Sequence, residues 1–202
     1  MIDAKEQPYL MSFSTGGLFI NESVAVAKLH RPGDDWGVTA VTAMAEGAFP
    51  VRKASSARRS IREIINRLKC LAAVELELLQ DGQRSEQTAL LWLATCRAYR
   101  FIREFTVEVV CEKYLSLQIQ LTYDDFDSFY FRKAEWSEKL ANISSSTQTK
   151  LRAVLFRIMR EADIISEGGR LLDPMLTTRF IELINDQDSS ELSYFPGGRQ
   201  HA

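Results

Sequence analysis

The chain has 202 residues, of which 46% are hydrophobic and 26% are charged, and its formal net charge is −2. This composition is typical of a globular protein and excludes a disordered chain, and the length is enough for one large domain or two small ones. The longest uncharged stretch, residues 7–21, contains Gln, Ser, Thr and Gly, whereas a membrane span needs about 20 mostly apolar residues. Because a basic region followed by an apolar block is missing at the N-terminus, we expect no signal peptide. With no spanning stretch and with cysteines that suit reduced thiols, we expect a cytoplasmic protein without membrane contact.

The small net charge conceals a strong segregation of charge along the chain. Residues 52–69, 97–103 and 150–160 hold 14 of the 25 lysines and arginines but only one of the 27 acids, Glu63. The overall balance argues against a nonspecific polycation. It still allows these three segments to form local basic faces.

Two helices are predicted before residue 46. The triplet Asn21-Glu22-Ser23 can cap the first, which we expect to end near Leu29, before the Pro32-Gly33 turn. Asp34 and Asp35 precede the second, which is predicted to span residues 36–45.

The middle of the chain is predicted to hold a basic helix followed by a long buried one. Ser55 and Ser56 open the first, whose apolar residues recur at helical spacing and which we expect to end at the Asp81-Gly82 turn. Ser85 is expected to cap the longest helical run, residues 89–115, whose apolar residues surround much of its circumference. This run should therefore lie between two lobes, and periodicity cannot locate a break inside it.

The same run contains arginines and two of the three cysteines, namely Arg97, Arg100, Arg103, Cys96 and Cys111, with Cys70 preceding it. We expect the arginines to form ion pairs with the acidic segments, and a contribution to a groove between the lobes is the alternative. An odd number of cysteines without a CxxC motif predicts reduced, buried thiols.

The last third of the chain has the order of a winged helix-turn-helix. Thr122 and Asp125 resemble a capping box for a helix that runs to about Ala141. A helix with one basic side follows, capped near residues 146–147. Gly168-Gly169, flanked by two apolar pairs, then predicts a short hairpin.

We therefore expect an all-α, mainly helical fold with a small β-hairpin wing. Two helical lobes with helix-turn-helix or winged-helix-like units are predicted, joined by the long buried helical segment. The expected boundaries are residues 1–118 for the N-terminal lobe, 119–190 for the winged-helix-like lobe and 191–202 for a flexible tail. Asp173-Pro174 should open the last helix, through about Ile184.

The two lobes share a weak internal repeat. Residues 34–68 align with residues 124–158 without a gap, and six of the 35 pairs are identical, including two arginines five residues apart. Duplication is one explanation, and chance combined with a common helical period is the other. In either case, each half places a serine pair before a helix whose two arginines lie away from its apolar stripe.

These two helices suggest an interface for a phosphate backbone. A helix in the major groove packs one side on its own domain and presents donors for phosphates and base edges on the other. The alternative for each helix is a solvated basic face paired with neighbouring acids. However, arginines in the first turns of the third helix oppose the helix dipole, which an anionic ligand would relieve. The candidate contacts to double-stranded DNA are Arg58, Arg59, Arg62, Arg67, Thr147, Gln148, Lys150, Arg152, Arg157 and, in the wing, Arg170.

Motifs for catalysis are missing from the sequence. His30 and His201 are the only histidines, and neither a GxxxxGK[ST] nor a GxGxxG loop occurs. Thr15-Gly16-Gly17 predicts a plain turn, and the acids of residues 124–127 are explained better by helix capping than by metal binding. We expect no enzyme activity, no cofactor and no metal.

Four blocks give the chain its resemblance to the BrxA family of bacteriophage-exclusion (BREX) defence systems. They are SFSTGGLFINESV at 12–24, CRAYRFIREFTVEVVCEKYL at 96–115, LTYDDFDSFYFRKAEW at 121–136 and STQTKLRAVLFRIMREADII at 146–165. The resemblance implies a small, non-catalytic, mostly helical bacterial protein that binds DNA beside a methyltransferase, an ATPase and a phosphatase-like protein. Within the last block it implies Lys150, Arg152 and Arg157 as contacts, and it transfers no catalytic residue.

Three functions follow from these patterns. The first is a double-stranded DNA-binding module. The second is a helical adaptor whose basic faces dock on acidic surfaces of other defence proteins. RNA binding is third, because aromatic residues do not cluster on the predicted basic faces as a stacking platform would require.

Overall fold

The computed structural model describes residues 8–14, 16–31, 33–46 and 54–201, and most of them are helical, as predicted. No helix in these ranges is long and apolar enough to cross a membrane. In chain order the elements are α1 (Ile20–Leu29), α2 (Trp36–Ala45), α3 (Ala54–Leu68), α4 (Ala73–Asp81), α5 (Arg84–Ala98), α6 (Arg100–Phe105), a π-helical stretch (Thr106–Cys111), α7 (Glu112–Leu115), α8 (Tyr123–Ala134), α9 (Glu138–Ala141), α10 (Ser145–Glu161), α11 (Thr178–Asp188) and two 3-10 helices (Ser189–Tyr194 and Gly198–His201).

The first helices begin close to the predicted residues. α1 starts ahead of the Asn21-Glu22-Ser23 triplet, after Phe19, whose left-handed backbone (φ 56°) ends the preceding segment without a side-chain cap. Asp35 caps α2 as predicted, because its carboxylate accepts the N–H of Gly37 at 2.7 Å. The third predicted helix is two helices, α3 and α4, since the chain turns after Leu68 although the apolar pattern continues.

The long central run is buried as expected, but its backbone is divided. Ten of the 15 residues of α5 are buried, and Glu86, not Ser85, caps this helix by accepting the N–H of Gln83 at 2.8 Å. Tyr99 is extended (φ −126°, ψ 96°) and separates α5 from α6. The helix then widens into the π-helical stretch. Periodicity carries no signal for these breaks, because the run is apolar on most faces.

The predicted capping box at the start of α8 is present. Asp125 Oδ2 accepts the N–H of Thr122 at 2.7 Å, and Thr122 Oγ1 accepts the N–H of Asp125 at 3.3 Å. α8 ends at Ala134, so the single helix expected here is two, α8 and α9. Ser144 caps α10, accepting the N–H of Thr147 at 3.4 Å, slightly earlier than expected.

The predicted hairpin after α10 is reduced to a turn with minimal pairing. Two isolated antiparallel bridges occur, Ile165 with Leu171 and Gln120 with Arg170. Along the described ranges there is no strand, so a β wing is not shown. Gly169 adopts a φ of 79°, which explains the glycine at this turn. Asp173-Pro174 does not open the last helix; α11 begins four residues after Pro174, at Thr178.

Residues 191–198 are buried or half-buried against the rest of the fold, where the sequence predicts a flexible tail. Leu192 and Phe195 are buried. Trp92 Nε1 in α5 donates to the carbonyl of Tyr194 at 2.8 Å. The sequence predicts fraying in this segment because it is polar overall. In the structure, the buried side chains of Leu192 and Phe195 attach it to the core.

An aromatic cluster joins the two halves of the chain. Phe101 in α6 packs edge-on against Phe126 and Phe129 in α8, with ring centroids 5.7 Å and 5.2 Å apart. Phe105 makes the same kind of contact with both rings. The two predicted lobes therefore share a hydrophobic core, and a boundary near residue 118 stays a prediction.

Candidate nucleic-acid interface

α3 presents three arginines on one exposed face. Arg58, Arg59 and Arg62 are all exposed, and none forms a hydrogen bond or ion pair with another described residue. The opposite side of the helix, which includes Ile61 and Ile64, is buried in the core. The arginines follow closely on the helix N-terminus, where the dipole disfavours cations. This face is positive, and the described acids do not neutralise it.

Arg67 does not belong to that face. Its side chain is 1% exposed, with Nε donating to Glu63 Oε1 at 2.8 Å and Nη1 donating to the carbonyl of Gly17 at 3.0 Å. Nη2 completes the ion pair, 2.7 Å from Glu63 Oε1. Five residues beyond Arg62, the helix has turned by roughly 140°, onto a side that other elements cover. The structure therefore removes Arg67 from the candidate DNA contacts.

Tyr99 completes this buried group. Its hydroxyl donates to Glu63 Oε2 at 2.6 Å. Burial and the adjacent carboxylate raise the pKa of Tyr99 well above its usual value, so it remains a donor. Tyr99, whose extended backbone separates α5 from α6, thus donates a hydrogen bond to Glu63, the only acid in the three basic segments of the sequence.

α10 presents a mixed exposed face. Thr147, Lys150 and Arg157 are exposed, and Lys150 has no ion-pair partner in the described ranges. Arg157 Nε donates to Glu161 Oε1 at 2.8 Å, yet its side chain stays 60% exposed. Exposed ion pairs contribute about 0–1 kcal/mol, so a phosphate can compete for such an arginine. The α10 face is nevertheless less positive than that of α3.

Arg152 and Gln148 lie at the margin of the α10 face and contact α8. Arg152 Nη1 pairs with Asp127, and its guanidinium lies 4.6 Å from the centroid of the Tyr123 ring, which leaves it 21% exposed. Gln148 Nε2 donates to Asp127 Oδ1 at 3.3 Å. One carboxylate thus holds two candidate contacts. The sequence indicated only a capping role for Asp127, which in the structure belongs to Asp125.

Arg170 is exposed at the turn that follows α10. Its side chain contacts no other described residue through a hydrogen bond or ion pair. Its backbone is fixed, because its N–H donates to Ser166 Oγ at 3.1 Å and its carbonyl accepts the N–H of Ser166 at 2.8 Å. A rigid turn therefore presents this arginine.

One peptide group links α3 to α10. The carbonyl of Gly17 accepts from Arg67, and the N–H of Leu18 donates to Glu161 Oε2 at 2.5 Å. A Cβ at residue 17 would lie 2.2 Å from that same oxygen, so glycine alone leaves room for the carboxylate. The Gly16-Gly17 pair, predicted to be a plain turn, therefore has a positioning role that short-range sequence patterns do not reveal.

Two of the three arginines of the central run form ion pairs, as expected, whereas Arg103 forms none with another described residue. Arg97 binds Glu75 at 2.7 Å and Glu191 at 2.5 Å, and Arg100 binds Glu104 at 2.6 Å. Arg97 and Arg100 are thus committed to ion pairs within the fold.

The described cysteines and acids offer neither a reactive thiolate at the two buried cysteines nor a cluster of metal ligands. Burial raises the pKa of the Cys111 thiol to about 12 and raises that of Cys96 as well, so neither is a thiolate at neutral pH. No cluster of three His, Cys, Asp or Glu side chains in the described part of the chain could hold a metal ion.

Together the fold and its exposed faces define a mainly helical protein with two basic helix surfaces fixed on a shared core. Residues 7–188 match the model of the BrxA family, and the chain belongs to that family. A BREX protein BrxA from Bacillus cereus (strain H3081.97) is 28% identical over 183 residues, which cover 89% of this chain and 92% of that protein. The family resemblance of the four sequence blocks is confirmed, and BrxA is a component of BREX phage-defence systems.

A solved structure has the same fold. The crystal structure of an uncharacterized protein from Magnetospirillum magneticum superposes with a TM-score of 0.75 at 17% identity, and the match covers 94% of this chain and 98% of that one. At this identity the similarity concerns the fold alone.

Proposed function

We propose that the chain is a non-catalytic component of a BREX system that binds double-stranded DNA. The exposed α3 face carries this proposal, because Arg58, Arg59 and Arg62 have no acid partner among the described residues. By contrast, Arg67 and Arg97 are each paired with a carboxylate. Unpaired arginines clustered on one helix attract a phosphate backbone, and binding releases its counterions.

α10 and the turn after it offer a second set of contacts. The order α8, α9, α10 and a glycine turn is that of a winged helix-turn-helix, in which the third helix enters the major groove. In this arrangement Thr147 at the start of α10 donates to a phosphate, while Lys150, Arg157 and Arg170 neutralise phosphates on either side. Arg152 contributes less directly, because Asp127 already holds it.

A salt titration of duplex binding tests the proposal. A fluorescent random-sequence duplex is titrated with the wild type, an Arg58→Gln/Arg62→Gln variant and a Lys150→Gln/Arg157→Gln variant. Each lost phosphate contact should reduce the slope of log K against log salt by about 0.9. Arg179→Gln, an exposed arginine of α11, is the matched control and should leave the slope unchanged. Absence of wild-type binding at ~50 mM salt contradicts the proposal.

A second candidate function is a helical adaptor within the defence complex. It is favoured by two exposed aromatic side chains, Phe131 in α8 and Trp136 just after this helix, which are 60% and 90% exposed. Exposed aromatic residues are enriched at protein interfaces. Partners of this kind would be the BREX methyltransferase, ATPase or phosphatase-like protein.

Nuclease treatment separates the two functions. Each purified BREX component is tested for retention on the immobilised chain before and after digestion of nucleic acid. Retention that survives digestion and is lost in a Phe131→Ser/Trp136→Ser variant supports the adaptor. Retention that digestion abolishes, or that the aromatic variant keeps, contradicts it.

A further inference from the structure

We propose that Gln148 reads an adenine in the major groove and that Asp127 orients its side-chain amide for this task. The inference rests on the proposed DNA binding. Gln148 is the fourth residue of α10, and the N-terminal part of a recognition helix is the part that reaches base edges. Its side chain lies at the edge of the exposed face, half-buried against α8.

Asp127 determines which way the amide points. An ionised carboxylate only accepts hydrogen bonds, so it can face the Nε2 group of Gln148 but not the amide oxygen. The contact is Nε2 to Asp127 Oδ1, at 3.3 Å. The orientation of the amide therefore follows from the chemistry of its neighbour and is not a free choice between two flipped states.

The carboxylate is itself held in place. Its other oxygen, Oδ2, pairs with Arg152, whose guanidinium lies over the Tyr123 ring. That ring in turn packs edge-on against Phe156 of α10, with centroids 4.8 Å apart. Arg152, counted from the sequence as a phosphate contact, thus acts in this inference as a positioning residue for Asp127. Through these contacts, the position of the Gln148 side-chain amide depends on how α10 packs against α8.

The outward edge of the amide keeps one acceptor and one donor. Gln148 Oε1 has no hydrogen-bond partner among the described residues, and the one buried side-chain polar atom there without a hydrogen bond is Arg67 Nη2. Oε1 is therefore accessible to solvent, and the second N–H of Nε2 is free of Asp127. In the major groove, adenine alone offers the matching N6 donor beside the N7 acceptor, whereas guanine offers two acceptors.

Sequence selection by the full-length protein tests this inference. A random duplex pool is selected with the wild type, Gln148→Ala, Asp127→Asn and Asp124→Asn, and the bound duplexes are sequenced. Asp124 is an exposed acid of the same helix that forms no hydrogen bond or ion pair with α10, so its variant matches the charge change of Asp127→Asn. Competition between adenine and guanine duplexes then measures the preference at the enriched position.

The wild type and Asp124→Asn are expected to enrich adenine at one position. Gln148→Ala and Asp127→Asn should lose that preference, by about ten-fold in the competition assay, while still binding duplexes nonspecifically. Duplex binding without any adenine preference, or a preference that Asp127→Asn retains, overturns the inference and leaves DNA binding intact. Failure of the wild type to bind any duplex overturns both. Gln148→Ala changes a surface residue, so it decides the question if Asp127→Asn does not fold.

Discussion

The backbone N–H of Leu18 donates a hydrogen bond to Glu161 Oε2 at 2.5 Å, although 143 residues separate the two in the chain. The other side of the same peptide group, the carbonyl of Gly17, accepts from Arg67. Glu161 also pairs with the exposed Arg157. Hydrogen bonds therefore connect the surface of α10 with the buried ion pair of α3, and this peptide contributes to the relative placement of the two basic helices.

Gly17→Ala is expected to lower the free energy of unfolding by about 2 kcal/mol. The added Cβ would occupy the place of the Glu161 carboxylate, which must move and lose its charge-assisted hydrogen bond. Guanidinium denaturation measures the change. Gly168→Ala is the matched control, since a Cβ there meets only Ser166 Oγ at 3.9 Å. Equal losses in the two variants would show that the contact with Glu161 is unimportant.

Arg67→Met is expected to destabilise the fold by about 3–5 kcal/mol, because Glu63 is left as a buried charge without its cation. Arg62→Met, on the exposed side of the same helix, should change stability by no more than about 0.5 kcal/mol. The order should be reversed for DNA binding. Arg62→Met should reduce the slope of log K against log salt by about 0.9, and Arg67→Met should leave this slope unchanged. A reduced slope in folded Arg67→Met would return this residue to the interface.

Glu191→Gln is expected to loosen the C-terminal segment selectively. The variant weakens the bonds to Arg97, which remains paired with Glu75, so the cost should be about 2 kcal/mol. Hydrogen–deuterium exchange should accelerate in residues 189–195 and stay unchanged in α8 and α10. The control is Asp186→Asn, at an exposed position in α11. Uniform acceleration across the whole chain would indicate global destabilisation instead.

Stability should depend on Glu104 in a pH-dependent manner. Burial alone would raise the pKa of this carboxyl group, but hydrogen bonds from Lys133, Tyr9 and Arg100 outweigh it and lower the pKa below its usual 4.5. The ionised form is therefore favoured by folding. Its contribution is fully present above the unfolded pKa and is lost as the pH falls through the folded pKa.

Comparison of the wild type with Glu104→Gln checks this sign. The difference in unfolding free energy between the two proteins should be largest near about pH 6. It should shrink as the pH falls toward about 3, where the carboxyl group becomes protonated. Glu77→Gln, at an exposed position of α4, is the matched control for the loss of one carboxylate. A Glu104 difference that grows on acidification contradicts the lowered pKa.

The local features of this fold were readable from the sequence. Capping residues predicted the start of α2 and, with the Thr122 capping box, that of α8, and one-sided apolar spacing predicted α10. These features depend on groups within a few residues of one another, as caps and amphipathic periods do. The segregation of charge into basic segments is likewise a property of the sequence itself.

The availability of each charge was decided only by the tertiary structure. Arg67 and Arg157 occupy equivalent positions in the internal repeat, yet one is 1% exposed and the other 60% exposed. Helical periodicity gives the direction in which a side chain leaves the helix axis. It does not show which distant segment of the chain packs against that side of the helix. Here the segment is the Gly17–Leu18 peptide, which lies between Arg67 and Glu161. The sequence alone determined which helices are basic, and long-range packing determined which of their arginines a ligand can reach.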